Sequence, residues 1–283
     1  MAYDHLDDNT INAQFSPRVA VPDCEEWLAR DAALSAETRK KLRHTADIAY
    51  GESPGERLDV FPAGNPGAPI HVYIHGGYWR ALDKKDFSYV AEPLVAGGAT
   101  TVVLNYDLCP KVTLDTIVQQ TRNAVIWIYR HAGLLGGDAD RIYLSGSSAG
   151  AHLAAMMLAE DWTRSPVPND VIKGAACITG IYQIDPVLRI QANAEIRLKP
   201  EMVARNSPLS LPLRARCPVL VAVGAKETPE WIKQSEAYEA YLRRHGLATE
   251  FIKLPDTHHF SITQSLSWPQ NVLAKAMLKQ MGL

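Results

Sequence analysis

Apolar residues along this chain fall into two alternating kinds of run. Short, nearly unbroken runs predict strands at Ile70 to Ile74, Thr100 to Leu104, Arg141 to Leu144, Gly174 to Ile178, Val219 to Val223 and Thr249 to Lys253. Between them, apolar positions recur every three or four residues, predicting helices over Asp86 to Ala96, Thr113 to His131, Ala149 to Ala159, Glu230 to His245 and Pro269 to Met281. A strand apolar on both faces must be covered on both, so this alternation specifies an α/β fold with a mostly parallel sheet between two layers of helices. Two extended segments come first, Ala46 to Tyr50 and Arg57 to Phe61, with Ser53, Pro54 and Gly55 as turn formers between them. They read as an antiparallel edge hairpin, which makes the sheet mixed.

Two stretches stand outside this rhythm. Residues 1–45 form a helical lead-in: from about residue 20, Pro22, Asp23 and then Glu25 to Arg43 carry Trp27, Leu28, Leu34 and Leu42 among many charges, as a surface or lid helix pair does. The body, residues 46–283, contains a polar, proline-bearing connection over about 182–216. A connection this long is functional or a small subdomain. We read it as a small cap over the carboxyl ends of the strands, where open α/β sheets bind ligands.

With 283 residues, 47% of them hydrophobic, the chain suffices for one large domain. The 29 Lys and Arg balance 31 Asp and Glu, leaving no net basic field for a nucleic-acid backbone. The densest basic cluster, Arg39, Lys40, Lys41 and Arg43, reads as a solvated helix C-terminus. No run approaches the length of a membrane span, and MAYDHLDDNT lacks the basic-then-apolar order of a secretory signal, so a soluble cytoplasmic protein is expected. Cys24, Cys109, Cys177 and Cys217 show no paired spacing and read as reduced, structural thiols. No metal site or cofactor is implied, and a homodimer is the one assembly left open.

The strongest local pattern is Gly146-Ser147-Ser148-Ala149-Gly150, between the strand ending at Ser145 and the helix that follows. In G-x-S-x-G the chain turns from strand to helix so sharply that larger residues two places either side of the serine would collide. Ser148 is the candidate nucleophile, its hydroxyl at the tip of the elbow. Ser147 points elsewhere by the same geometry.

His75-Gly76-Gly77-Tyr78-Trp79 follows the strand Ile70 to Ile74. An oxyanion needs backbone N–H donors about 3 Å away, and glycines let the main chain approach that closely. The backbone amides of Gly76 or Gly77, Tyr78 and Ala149 are the candidate oxyanion hole. His75 is expected to hold this loop in place.

In strand–elbow–helix hydrolases the acid and then the histidine follow the serine. His258 and His259 lie just beyond the strand Thr249 to Lys253, and Phe260 can anchor the segment in the core. His259 is the expected base. Adjacent histidines cannot share a metal as an i, i+4 pair does. At the end of the preceding strand stand Glu227 and Glu230; Thr228 as N-cap and Pro229 at the first helical position make Glu230 a first-turn carboxylate. Glu227 is the expected acid. Asp256 is read as a turn residue, and His245 as a solvent-facing helix end.

These residues resemble the α/β-hydrolases of the kynurenine formamidase (arylformamidase) group, relatives of the hormone-sensitive-lipase-like esterases. HGGYW is similar to the formamidases' HGGxW; GSSAGAHLA, Thr179-Gly-Ile-Tyr-Gln-Ile-Asp-Pro, Asn206-Ser-Pro-Leu and Glu227-Thr-Pro-Glu-Trp-Ile-Lys-Gln-Ser extend the likeness over most of the chain after about residue 45. By position the resemblance implies Ser148, His259 and Glu227 as the triad, with Glu where Asp is usual. It implies hydrolysis of an N-formyl amide on an aromatic amine, or of a small acyl ester. Trp79, Tyr78, Tyr182 and Phe260 are candidates to line an aromatic pocket, and Arg80, Arg189 or Arg197 to receive a substrate carboxylate. The alternatives are a non-catalytic binding protein on the same fold, which commonly lacks a triad member, and a peptidase, for whose extra recognition elements the chain leaves little room.

Overall fold

The computed structural model describes residues 3–268 and 271–283. Eight strands form one sheet: β1 (Thr45–Ala49), β2 (Arg57–Phe61), β3 (Ala68–Ile74), β4 (Thr100–Leu104), β5 (Gly137–Ser147), β6 (Ile172–Ile178), β7 (Val219–Gly224) and β8 (Thr249–Leu254). Their spatial order is β1-β2-β4-β3-β5-β6-β7-β8; β1 and β2 run antiparallel at one edge, and every pair from β4 to β8 is parallel. This is an α/β-hydrolase sheet, mixed as the hairpin implies. From β3 the chain crosses one way to β4 and then returns past β3 to β5. The crevice beyond the carboxyl ends of β3 and β5 is therefore the switch point of the sheet.

Period-two alternation divides the apolar residues between two buried faces. Ile70, Val72 and Ile74 of β3, with Ala175 and Cys177 of β6 and Val219 and Val221 of β7, enter one core. That core is covered by α5 (Leu114–His131), α6 (Ala149–Ala159) and α9 (Pro229–Arg244). Tyr73, Val103, Ala176, Ile178, Leu220 and Ala222 enter the other, under a 3-10 segment (Lys84–Val90), α4 (Ala91–Ala96), α10 (Ser261–Gln264) and α11 (Val272–Met281). The helix expected over Asp86 to Ala96 is thus two pieces. A helix running through would set the Pro93 ring against the carbonyl of Tyr89, and the backbone breaks regular geometry at Phe87. The closing helix was expected from Pro269, which lies outside the described residues.

The lead-in starts earlier than periodicity showed, with α1 (Asp8–Phe15) and α2 (Pro17–Ala20) ahead of α3 (Cys24–Lys41). Asp7 caps α1 by accepting from the Thr10 amide at 2.7 Å, and Pro17 opens α2. Ile11 and Phe15 are fully buried in the main core, so these residues complete the body. Arg39 departs from the expected solvated cluster. It turns inward to pair with buried Asp59 and donates to Ser88 at 2.8 Å, while Lys40 and Lys41 stay outside with Glu37 and Glu92.

The 182–216 connection contains α7 (Asn193–Ile196) and α8 (Pro200–Val203). It packs beside α6, where the Asn206 carbonyl lies 2.7 Å from Nε2 of buried His152 and the Leu158 carbonyl accepts from the amides of Arg214 and Ala215. The four cysteines are free and buried. Among the described residues no helix is long and apolar enough to cross a membrane, and no group of histidine, cysteine and acidic side chains is placed to hold a metal ion.

Candidate active site

β3 and β5 are hydrogen-bonded neighbours, with Ile74 in register with Gly146. The two strongest motifs of the sequence each begin where one of these strands ends, so pairing the strands brings the motifs together. Ser148 sits at φ 55°, ψ −119°, between β5 and α6. A Cβ on Gly146 would come within 2.3 Å of the Gly150 carbonyl carbon, and one on Gly150 within 2.0 Å of the Ile74 oxygen. The elbow needs both glycines for that steric reason. Ala149, the first residue of α6, offers one of the N–H groups that a helix start leaves without an intrahelical acceptor.

The loop after β3 is bent into an uncommon backbone shape. Gly77 has φ +100°, and a Cβ there would meet the Ala81 oxygen at 2.0 Å; Tyr78 and Trp79 follow at φ 53° and 58°. Its surroundings hold it. The amides of Arg80 and Ala81 both donate to the Gly77 carbonyl at 3.1 Å, and the Trp79 carbonyl accepts from the Cys109 amide at 2.8 Å. His75 stacks between Tyr106 and Phe87, its Nε2 lying 3.0 Å from the Asn105 side-chain oxygen, and burial pushes its pKa down. It has the structural place expected of it.

His259 follows β8, and its Nδ1 lies 3.0 Å from Oε1 of Glu227, in the loop after β7. Parallel pairing of β7 and β8 brings these two loops side by side. The same Glu227 oxygen accepts from the Thr179 hydroxyl, while the Thr179 carbonyl accepts from the Trp231 indole N–H at 2.8 Å. Trp231 stands edge-on to the His259 ring at 4.7 Å. The imidazole is thus oriented by a carboxylate and a ring, both buried. His258 turns away, its ring against Trp27 of α3 at 4.9 Å. Glu230 pairs with Lys233 at 2.6 Å and Asp256 with Lys226 at 3.0 Å, the helix-start and turn roles expected of them.

Ser148 and His259 line one pocket, together with Gly76, Gly77, Tyr78 and Phe260. It holds about 640 Å³ of open space, mouth included. Two of the expected aromatic lining residues lie elsewhere. Trp79 is fully buried against His152, and Tyr182 is fully buried with its ring stacked 4.0 Å from Tyr238. Both pack the core because the loops that carry them turn their side chains inward. Of the three arginines, Arg80 reaches the pocket, whereas Arg189 is taken up by Asp8 and the carbonyls of Tyr3 and Leu6. Arg197 is not among the lining residues.

The far wall comes from the lead-in, read above as a surface or lid helix pair; Asp31 within it is a residue that the sequence expectations do not single out. Among the described residues, none of the 182–216 connection lines this pocket; Pro17 and Arg18 of α2 and Leu28 and Asp31 of α3 do. A helical stripe carries the signal that finds Asp31: Cys24, Leu28, Asp31, Ser35 and Thr38 recur at alternating spacings of four and three. Its polar members are buried along with Cys24. Ser147 also borders the pocket, with its hydroxyl 2.9 Å from that of Tyr73.

The BD-FAE family model matches residues 58–165. A kynurenine formamidase of Danio rerio is 36% identical over all of this chain and 97% of its own length, and one of Salmo salar is 34% identical with the same coverage. Among solved structures, a thermostable carboxylesterase cloned from a metagenomic library superposes with a TM-score of 0.76 at 17% identity, covering 98% of each chain. With full-length identity at this level joined to an esterase-type fold, the chain is a hydrolase and belongs to the kynurenine formamidase family.

Proposed function

We propose that this protein hydrolyses the N-formyl amide of an aromatic amine, with small acyl esters as secondary substrates, through a Ser148–His259–Glu227 triad. The observation that carries the reading is the pairing of His259 Nδ1 with Glu227 at 3.0 Å while His259 and Ser148 face one pocket. With Nδ1 engaged by the acid, Nε2 is the nitrogen left to accept the serine proton. Ser148 Oγ attacks the formyl carbon, its proton passes to His259, and the oxyanion is met by the amides of Ala149, Tyr78 and Gly76 or Gly77. His259 then returns the proton to the leaving nitrogen, the C–N bond breaks, and a formyl-enzyme remains. Water, deprotonated by His259, attacks that ester; formate leaves and Ser148 recovers its proton.

The apolar side chains of Leu28, Leu82, Phe87 and Phe260 around the pocket suit an aromatic leaving group. Arg80 suits a carboxylate on it. Its Nη1 donates to Glu195 at 2.7 Å, and its buried Nε has no partner among the described residues.

The test compares kcat/KM for N-formylkynurenine and short p-nitrophenyl esters. Preference for the formyl amide supports the formamidase reading; comparable or better ester turnover makes the protein a general esterase. An organophosphate should label the wild type at Ser148 and leave Ser148→Ala unlabelled. Full activity without labelling ends the acyl-enzyme mechanism.

A further inference from the structure

Asp31 is a buried carboxyl group in the wall of a pocket whose chemistry does not use it. It is 3% exposed and lines the pocket with Leu28, Phe87, Phe260 and Thr263. One oxygen accepts from the Gln264 side-chain amide at 3.0 Å. Among the described residues, the remaining titratable groups around it are Tyr89, whose hydroxyl favours the ionised form, and Asp86, both of the Lys84–Val90 segment, and Tyr73 of β3, none of them cationic. The pocket's two arginines have carboxylates of their own, Arg18 with Glu25 and Arg80 with Glu195. Burial accordingly pushes the Asp31 carboxyl up to about 7. An asparagine would keep an oxygen for Gln264 without the cost of burying an acid that has no cation beside it.

Such a group gains most from a cation brought by the ligand. Inside a pocket that excludes water, an ammonium supplies the missing counter-charge and charge-assisted hydrogen bonds at once. We propose that Asp31 is a specificity-determining residue that selects substrates carrying a protonated amine. The amine docks on Asp31 while the scissile carbonyl lies at Ser148, a placement that rests on the hydrolase reading above.

The experiment is calorimetric binding of 2-phenylethylamine and its near-isostere 2-phenylethanol to the whole protein. In the wild type the amine should bind tighter than the alcohol by about ten-fold or more near pH 8, where Asp31 is ionised, and the preference should shrink near pH 6. Asp31→Asn should abolish the preference near pH 8. His259 also lines the pocket, and His259→Ala, which takes that ionisable side chain away, should keep the pH dependence of amine binding. An amine preference unchanged in Asp31→Asn, one independent of pH in His259→Ala, or none at all overturns the proposal. The readout is binding, so it is separate from turnover. Failure to cleave either a formyl amide or an ester counts against the hydrolytic reading alone.

Discussion

One carboxylate oxygen of Glu227 serves two partners: it lies 3.0 Å from Nδ1 of His259 and accepts the hydroxyl of Thr179. The Glu227 side chain spans from the β7 loop to the imidazole. Glu227→Gln should preserve the fold but place a poor acceptor beside the ring, lowering kcat/KM by about 10²- to 10⁴-fold. Glu227→Asp should lose at least about ten-fold, because withdrawing the carboxylate by one methylene breaks a geometry that tolerates little displacement. Steady-state kinetics with circular dichroism as the folding control decide this. Unchanged kcat in Glu227→Gln would remove Glu227 from the proposed triad.

Gly77 is a position where a single methyl group should be intolerable. Gly77→Ala combines a φ of +100° with a contact of 2.0 Å to the Ala81 oxygen. The strain alone is of order 1–3 kcal/mol, and relieving the clash moves the amides proposed to face the oxyanion. We expect a lower Tm together with a fall in kcat larger than any rise in KM. A variant with normal kcat would place the oxyanion donors elsewhere.

Asp31 should make stability depend on pH in a definite direction. Its carboxyl is raised from 3.8 to about 7 in the folded state. Below about pH 4 both states hold the proton and the residue is neutral in the balance. Between about pH 4 and 7 only the folded state holds it, so stability falls as pH rises; above 7 the penalty is complete. At about 1.4 kcal/mol per pKa unit this amounts to a few kcal/mol. Asp31→Asn should therefore gain on the wild type in urea denaturation as pH is raised from 4 to 7. Parallel curves would show that the carboxyl titrates normally.

Arg80→Met should raise KM for a carboxylate-bearing formyl amide by about ten-fold, the weight of one hydrogen bond to a charged group, and change kcat less. An equal effect on a neutral p-nitrophenyl ester would assign Arg80 to holding Glu195 instead.

Sequence periodicity alone located the parallel strands to within a few residues; for the central ones, such as β3, β4 and β7, the reason is that a strand buried on both faces has no freedom to be polar, whereas β8 at the edge is largely exposed. Thr100–Leu104 and Ala149–Ala159 stand where the apolar runs predict them. The elbow at Ser148 and the Gly-Gly turn after β3 were legible for a different reason: each needs residues without side chains at fixed spacings. The order of residues after the last two strands points to His259 and Glu227, the proposed base and acid, and the parallel pairing of those strands brings the two into contact. What tertiary structure alone decided was which side chains reach the pocket. Trp79 and Tyr182 have the composition of lining residues, but rotation of their loops sends them into the core. The 182–216 connection has the length of a cap, yet it packs beside α6, and α2 and α3 close the pocket instead. Asp31, one acid in a charged helix, acquires its character only when α3 docks and removes water from it. Local pattern reports what an element must bury; what it buries against is set by contacts between residues far apart in the chain, and the specificity of this pocket is built from those.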